Sequence, residues 1–233
     1  MRLTNPMPAE ICYRGNWTIR VRNETPSFAL HYHFSNCSGP TDLESLGITS
    51  DQLNGSKTAV AFDVRRDAGT FTCSGEAGGG VAKGTFRFHP NTDWSAEVQA
   101  LGLRCSLFDQ VRAAMFGLTV PYVRGIVDAG YKSVAFMDLY SLRMRETSLE
   151  DVRAFRAAFP DASFDEVTLL GWSKASPELV TALRSAGVHD LTAENVIALR
   201  SLGVDEAFVS RLVGAGKTDL SVDEVAALNA TGF

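Results

Sequence analysis

The chain has 233 residues, of which 45% are hydrophobic and 21% charged, and this composition predicts a folded globular protein rather than a disordered or fibrous one. Its formal net charge is −5. The excess of acids lies in residues 91–233, which argues against nucleic-acid binding by that part because phosphate contacts require clustered cations. The sequence has no run of about 18 apolar residues, so we expect no integral membrane segment.

Residues 1–91 show the alternation of apolar and polar side chains that is typical of half-buried β-strands. Trp17, Ile19 and Val21 share one face of the first such segment. The same pattern returns at residues 28–34, 60–65, 71–73 and 86–88. Gly75–Gly80 has the composition of a hairpin loop, and a short helical turn is expected at Asp42–Leu46. About five strands joined by short turns predict an antiparallel β-meander with one apolar face.

Residues 92–233 carry helix-start and helix-stop signals instead. A serine with an acid three positions further on predicts a capping box at Ser106, Ser148, Ser163 and Ser221. Glycines follow the predicted helices, and the chain ends in one unit written twice, Ser176–Val204 and Asp205–Phe233.

Such copies predict helix pairs that stack because one unit cannot bury its apolar face alone. We therefore predict an α+β fold in two domains. Residues 1–91 form the antiparallel sheet, and residues 92–233 form an irregular α-helical repeat array packed on it. The pattern of the repeat is interrupted at Val134–Arg145.

Three histidines are the candidate metal ligands. His31 and His33 share one face of a predicted strand, and His89 ends another. Two imidazoles at positions i and i+2 with a third from a neighbouring strand match a zinc site that keeps an open catalytic position. A polar sheet face also commonly carries histidine, so a purely structural role stays open.

The same outward face carries the arginines Arg20, Arg22, Arg65 and Arg87. They are a candidate cationic surface for an anionic partner or a lipid headgroup, and a solvated sheet face is the alternative. Cys12 and Cys37 lie near the ends of a predicted hairpin region and are a candidate disulfide in an oxidising compartment. Isolated, partly buried thiols are the other interpretation.

The helical half contains one aromatic residue of interest for binding. Trp172 is a candidate anchor for a partner peptide in a groove of the array, although such residues more often fill the space between helices. The motifs GxSxG and HExxH are absent from the sequence. The acids of this half stand mostly at predicted caps, where they already have a structural role.

Two strand segments and the closing repeats resemble a bacterial module. The segments are Gly69-Thr-Phe-Thr-Cys-Ser-Gly75 and Gly84-Thr-Phe-Arg-Phe-His-Pro-Asn91, followed by Leu101-Gly102 and by Leu220-Ser-Val-Asp-Glu-Val-Ala-Ala-Leu228. From Trp17 to Phe233 the chain is similar to the extracytoplasmic module appended C-terminally to some membrane metallopeptidases of the beta-lactam-sensor type, which also occurs alone. The resemblance implies a small sheet, tandem helical units, extracytoplasmic placement and no established activity. The peptidase zinc motif is absent from this sequence, so no catalytic residue carries over.

These observations favour a non-enzymatic binding or scaffold module that acts through the array or through the basic sheet face. One alternative is a metal-dependent hydrolase centred on His31, His33 and His89. Another is an accessory subunit that docks onto a larger membrane complex. We expect a protein partner, no nucleic acid and no cofactor. Periplasmic or other extracytoplasmic placement is expected, with a cytoplasmic location as the alternative.

Overall fold

The computed structural model describes residues 13–22, 25–32, 35–40, 42–132 and 134–233. The chain divides into two compact units, Met1–Val120 and Pro121–Phe233. The first unit contains the sheet, two short helical segments within residues 44–54 and the helices Thr92–Ala100 and Leu107–Met115. The later helices form the second unit. The predicted α+β class is confirmed.

The first unit is built on a six-stranded antiparallel sheet. Its strands are β1 (Tyr13–Arg22), β2 (Thr25–Tyr32), β3 (Ser35–Pro40), β4 (Thr58–Arg66), β5 (Gly69–Gly78) and β6 (Val81–Pro90). The spatial order is β3-β2-β1-β6-β5-β4, so two three-stranded meanders meet where β1 pairs with β6. The connection from β3 to β4 contains a 3₁₀ helix, Glu44–Leu46, which confirms the predicted turn, and the short helix α1 (Ser50–Asn54).

Two segments differ from the sequence-based prediction. Ser35–Pro40 forms the edge strand β3, where a terminal proline is tolerated because an edge strand leaves one side of its backbone unpaired. The predicted loop Gly75–Gly80 is strand as far as Gly78, and only the turn at Gly79 and Gly80 remains. Gly75 stays in the ladder because it lies opposite another glycine, Gly84 of β6.

One face of the sheet forms the core of the first unit. Phe28 and Phe86 are buried there, as the alternation predicts, and half-buried Phe62 packs edge to face on Trp17 with ring centroids 5.0 Å apart. Two helices follow the sheet, α2 (Thr92–Ala100) and α3 (Leu107–Met115). Helix α3 packs against β3, β4, β5 and β6, so an early helix does cover the apolar face.

A buried glutamine on α3 joins two turns of the sheet. The amide nitrogen of Gln110 donates to the carbonyl oxygens of Ala68 at 2.8 Å and Asn91 at 2.7 Å. Ala68 lies in the β4–β5 turn, and Asn91 is the N-cap of α2. One side chain therefore satisfies two carbonyl groups that belong to separate connections.

Replacing Gln110 with leucine is expected to lower the free energy of unfolding by about 1–3 kcal/mol, because two carbonyl groups lose their amide donor in a buried site. Urea unfolding followed by circular dichroism measures the change. The exposed neighbour Arg104→Leu serves as the control and should stay within about 0.5 kcal/mol of the parent. Equal stability of Gln110→Leu and the parent would contradict the proposed bridge.

The second unit consists of short helices of similar length. They are α4 (Val120–Asp128), α5 (Phe136–Met144), α6 (Leu149–Ala158), α7 (Phe164–Ser173), α8 (Pro177–Ser185), α9 (Ala193–Ser201), α10 (Glu206–Gly214) and α11 (Val222–Ala230). Helices α5, α7, α9 and α11 pack side by side in one layer. Helices α6, α8 and α10 form the other, so the unit is a two-layered stack of helix pairs.

The predicted repeat is present and extends beyond its two closing copies. Helices α8 and α10 begin at equivalent positions of the two copies, as do α9 and α11. Val180 and Val209 occupy equivalent buried positions, as do Val196 and Val225. Helix α5 belongs to the same series, because the number of residues from the start of α5 to the start of α7 nearly equals the number from α7 to α9. Its N-cap residue, Ala135, makes no side-chain capping bond. The interruption predicted at Val134–Arg145 is therefore an interruption of the capping signal rather than of the helix spacing.

Polar side chains in the last turn of a helix tie neighbouring repeats together. Arg200 of α9 donates from Nε to the carbonyl oxygen of Lys174 at the end of α7, at 3.1 Å. Asn229 of α11 donates in the same way to Leu202 at the end of α9, at 2.8 Å, and Arg184 of α8 donates to Ala158 of α6. These donors satisfy helix-end carbonyls that have no partner within their own helix.

Candidate functional site

The predicted three-histidine site is not assembled by the described residues. His31 of β2 pairs with Asn16 of β1, and Asn16 pairs in turn with Thr85 of β6. His31 and His89 are therefore separated by two strand spacings across the sheet and by the four residues from Thr85 to His89 along β6. Their Cα atoms are roughly 16 Å apart at the usual strand spacing and rise. Nitrogen ligands must lie about 2.1 Å from zinc, which these two imidazoles cannot reach together. His33 lies outside the described residues, within which no cluster of three metal-ligating side chains is found.

The predicted arginine surface is dispersed. Arg20, Arg65 and Arg87 are exposed on the outward face of the sheet, while the side chain of Arg22 lies outside the described part of the chain. The pairing register puts Arg87 roughly 12 Å from Arg65 and roughly 20 Å from Arg20. Arg65 is also paired with Asp63 at 3.4 Å. The four arginines do not form one compact site.

The candidate disulfide falls outside the described residues. Cys12 and the side chain of Cys37 are both beyond what the structure describes, so that pairing stays a prediction. The described cysteines, Cys73 and Cys105, are free thiols. Burial, with a smaller effect from a nearby aspartate, raises the pKa of each to about 12, so neither carries the thiolate that nucleophilic chemistry requires at neutral pH.

A concave site lies in the second unit, at the ends of α5 and α7. It is an open groove of about 180 Å³. Residues of the α5–α6 loop, helix α6, the end of α7 and the start of α8 line it: Arg145, Glu146, Thr147, Asp151, Phe155, Gly171, Lys174, Ala175, Ser176, Pro177 and Glu178. The repeat architecture therefore brings four successive segments of the chain to one place.

Two residues of this groove have a backbone conformation that is unusual for their type. Glu146, after α5, has a φ of 59°, and Lys174, at the end of α7, has a φ of 58°. At the ends of α2, α3, α4, α8, α9, α10 and α11 the left-handed position is occupied by glycine. A side chain in this conformation costs about 1–2 kcal/mol. Glu146 and Lys174, the two charged residues that stand where these other helices have glycine, thus lie in the same groove.

The wall of the groove is held by a tyrosine and a glycine. The Tyr122 hydroxyl donates to the carbonyl oxygen of Thr147 at 3.0 Å. Burial raises the pKa of Tyr122 to about 12, so the hydroxyl keeps its proton at neutral pH. Gly171 lies against the same loop, where an added Cβ would be 2.7 Å from the Thr147 hydroxyl oxygen. The loop that carries Glu146 is therefore fixed from two sides.

Exposed apolar side chains lie within two residues, along α5 and α7, of positions that line the groove. Trp172 is 40% exposed, Met144 47% and Leu169 52%, although each belongs to a helix with a buried opposite face. The Arg145 guanidinium lies over the Trp172 ring, 3.8 Å from its centroid. These four residues, Met144, Arg145, Leu169 and Trp172, are called the apolar rim below.

The groove itself has an acidic character. Glu146, Asp151 and Glu178 contribute three carboxylates, whereas Arg145 is stacked on Trp172 and Lys174 is the other cation. Neither Glu146 nor Glu178 uses its carboxylate in a hydrogen bond or ion pair with another described residue. The carbonyl ends of α5 and α7 add negative partial charge, and the first turns of α6 and α8 add positive partial charge, so the carboxylates decide the character of the groove. The arrangement suits a cationic group next to an apolar one. The Ser176 hydroxyl of the lining is the N-cap of α8, accepting from the Leu179 amide and donating to the Glu206 carboxylate, so it already has a structural role.

Sequence reasoning found one residue of this site and missed the others. Trp172 was identifiable because a tryptophan is conspicuous in a short amphipathic helix. Glu146 and Lys174 were not, because the glycine that usually marks a helix end is absent at both positions. The nearly constant interval between helix starts could have located them, since it places a helix end at both.

Comparisons of the chain with protein-family models, with curated proteins and with solved structures found no match. Among the described helices, none has the length and apolar character required to cross a membrane.

Proposed function

We propose that this protein is a non-enzymatic binding module whose helical array holds a linear segment of a protein partner. The segment carries an apolar side chain that packs on the apolar rim and a lysine or arginine that enters the acidic groove. The observation that carries the proposal is the pair of charged residues, Glu146 and Lys174, kept in a strained conformation in one groove. Strained positions of this kind cluster at binding and switch sites. Asp190 and Asp219 also have a left-handed φ, but aspartate adopts it more readily than glutamate or lysine.

The apolar rim supports the same proposal. Three large apolar side chains are exposed on the adjacent helices α5 and α7, and exposed apolar side chains that group together mark interaction sites. Tryptophan and arginine are also the residues most often found to dominate binding energy in protein interfaces. The unpaired carboxylates of Glu146 and Glu178 give the groove its selectivity for a cation.

A displayed library of random linear peptides, selected against the full chain, tests the proposal. We expect enrichment of sequences in which an aromatic or large aliphatic residue neighbours lysine or arginine. Trp172→Ala is expected to weaken an enriched peptide at least tenfold by isothermal titration calorimetry. Val213→Ala, which truncates an exposed apolar residue on α10 away from the groove, should bind as the parent does. Failure to enrich any sequence, or equal binding by both variants, would refute the proposal.

Two substitutions by glycine distinguish the effect of backbone strain on stability from the effect of the groove charge on peptide binding. Glu146→Gly and Lys174→Gly each relieve a left-handed side chain, so each is expected to stabilise the protein by about 0.5–1 kcal/mol. Only Glu146→Gly removes a carboxylate from the groove, so it alone should weaken a cationic peptide, by about tenfold. Peptide binding that weakens equally in both variants would show that the groove does not select for positive charge.

The cellular setting is part of the proposal. Extracytoplasmic placement is supported by the resemblance to the sensor-type peptidase module, and docking onto a larger membrane complex would place a cationic segment of that complex in the groove. Fractionation of cells that express the untagged full chain tests the compartment. Recovery in the cytoplasmic fraction would reject the extracytoplasmic setting without affecting the peptide test.

A further inference from the structure

Two arginines lie directly opposite each other on the outward face of the sheet. Arg14 of β1 pairs with Arg87 of β6, at the junction of the two meanders. Both side chains are exposed, and neither guanidinium has a hydrogen bond or ion pair with another described residue. Directly opposed residues in an antiparallel pair have Cβ atoms only about 4.5–5.5 Å apart, and like charges in such a pair destabilise the sheet.

Within the described part of the sheet, the carboxylates of this face do not pair with Arg14 or Arg87. Asp63 lies two strands from Arg87 in the same row and is bound to Arg65 at 3.4 Å. Glu76 lies opposite Lys83 and pairs with Lys57 at 3.8 Å. Guanidinium groups on such closely spaced side chains repel each other in water by about 0.4–0.8 kcal/mol for charge separations of about 5–10 Å. An anion from outside the protein would remove this repulsion.

The neighbours of the pair are hydrogen-bond donors. Thr72 of β5 lies opposite Arg87 on the side away from Arg14. Thr85 and His89 are the residues of β6 that share the outward face on either side of Arg87. The guanidinium group presents a planar fork of donors that matches phosphate oxygens in two-pronged geometry. Two such forks with hydroxyl groups beside them suit a tetrahedral dianion better than a single carboxylate.

We propose that Arg14 and Arg87 form a binding site for the phosphate group of a phosphate monoester. Such a group carries a charge of about −1.5 to −2 at neutral pH, which two guanidinium groups neutralise. The site lies on the sheet of the first unit and does not depend on the peptide groove of the second. The other exposed arginines of the face, Arg20 and Arg65, are too distant by register to touch the same phosphate.

Titration of the ¹⁵N-labelled full chain with phenyl phosphate, with the arginine Nε–H signals followed by NMR, tests the site. We expect saturable shifts of the Arg14 and Arg87 signals that sodium chloride of equal ionic strength does not produce. The double variant Arg14→Gln/Arg87→Gln should bind at least tenfold more weakly. The matched control Arg20→Gln/Arg65→Gln removes the same charge from the same face and should bind within about twofold of the parent. Equal weakening in both variants would overturn the proposal, because it would indicate general charge attraction.

Vesicles distinguish the source of the phosphate group. One set contains phosphatidylcholine with phosphatidic acid, which presents a monoester, and the other contains phosphatidylcholine with phosphatidylglycerol, which presents a diester of lower charge. Binding of phenyl phosphate without vesicle binding assigns a soluble or protein-borne phosphate. Binding to phosphatidic acid vesicles that requires Arg14 and Arg87 assigns a lipid headgroup. Binding to neither probe, or equal binding to both vesicle types, would reject the site.

Discussion

Replacing Gly84 with valine is expected to lower the free energy of unfolding of the first unit by at least about 3 kcal/mol. Gly84 of β6 lies opposite Gly75 of β5 and, on its other side, opposite Trp17 of β1. A Cβ atom on Gly84 would be 2.0 Å from the Ser74 carbonyl oxygen and 2.7 Å from the Gly75 Cα. Because both neighbours are backbone atoms, the strands themselves would have to separate.

The position of Trp17 increases the loss of stability expected for Gly84→Val. Trp17 is fully buried, and its indole nitrogen donates to the carbonyl oxygens of Ser74 at 3.3 Å and Thr85 at 3.1 Å. These acceptors are the residues next to the two glycines, so the indole lies across the glycine pair. A valine side chain on the same face would displace the ring and break both hydrogen bonds.

Guanidinium chloride unfolding measures the effect, with Gly214→Ala as the control. A Cβ on Gly214, near the end of α10, meets no other atom, so this variant should equal or exceed the parent in stability by about 0.4–1 kcal/mol. If Gly84→Val does not fold, Trp17→Phe tests the same arrangement through its lost donor, with an expected loss of about 1–3 kcal/mol. A loss below about 1 kcal/mol in either variant would contradict the close packing at the glycine pair.

The glycine pair also shows why part of the sheet could not be predicted. Within a single segment, Gly75–Gly80 has the composition of a loop, and its pairing with β4 and β6 keeps Gly75–Gly78 in a strand. The edge strand Ser35–Pro40 was unpredictable for the same reason. Its residues favour turns, and its pairing with β2 holds it in an extended conformation. The alternating strands were predictable because burial of one face leaves a local pattern, whereas pairing between distant strands does not.

The helices of both units were more predictable than the sheet because their signals are local. The capping boxes expected at Ser106, Ser148, Ser163 and Ser221 are all present, since cap and acid lie within one turn. The groove was not predictable in the same way. It depends on how neighbouring repeats bring Glu146 and Lys174 together. The repeat pattern in the sequence gives the positions of the helices but not which side chains line the same groove.

Two adjacent leucines of α7 are expected to separate folding from binding. Leu170 is completely buried, and α7 packs between α5 and α9. Leu170→Ala leaves a cavity at the centre of the layer formed by α5, α7, α9 and α11, and it should lower the free energy of unfolding by about 2–5 kcal/mol. Urea unfolding monitored by far-ultraviolet circular dichroism measures the loss, and Leu170→Met provides a milder variant, with a loss below about 1.5 kcal/mol, if the alanine variant does not fold.

Leu169→Ala is the matched variant, because it makes the same chemical change at the adjacent position on the exposed side. Its side chain is 52% exposed on the apolar rim, so the free energy of unfolding should change by no more than about 0.5 kcal/mol. Peptide binding, in contrast, should weaken about tenfold if the rim supplies the apolar contact. Measured below its unfolding transition, Leu170→Met should bind the peptide as the parent does, because its side chain does not line the groove. Loss of stability in Leu169→Ala would show that the rim belongs to the core, and unchanged peptide affinity would show that the partner contacts another face of the array.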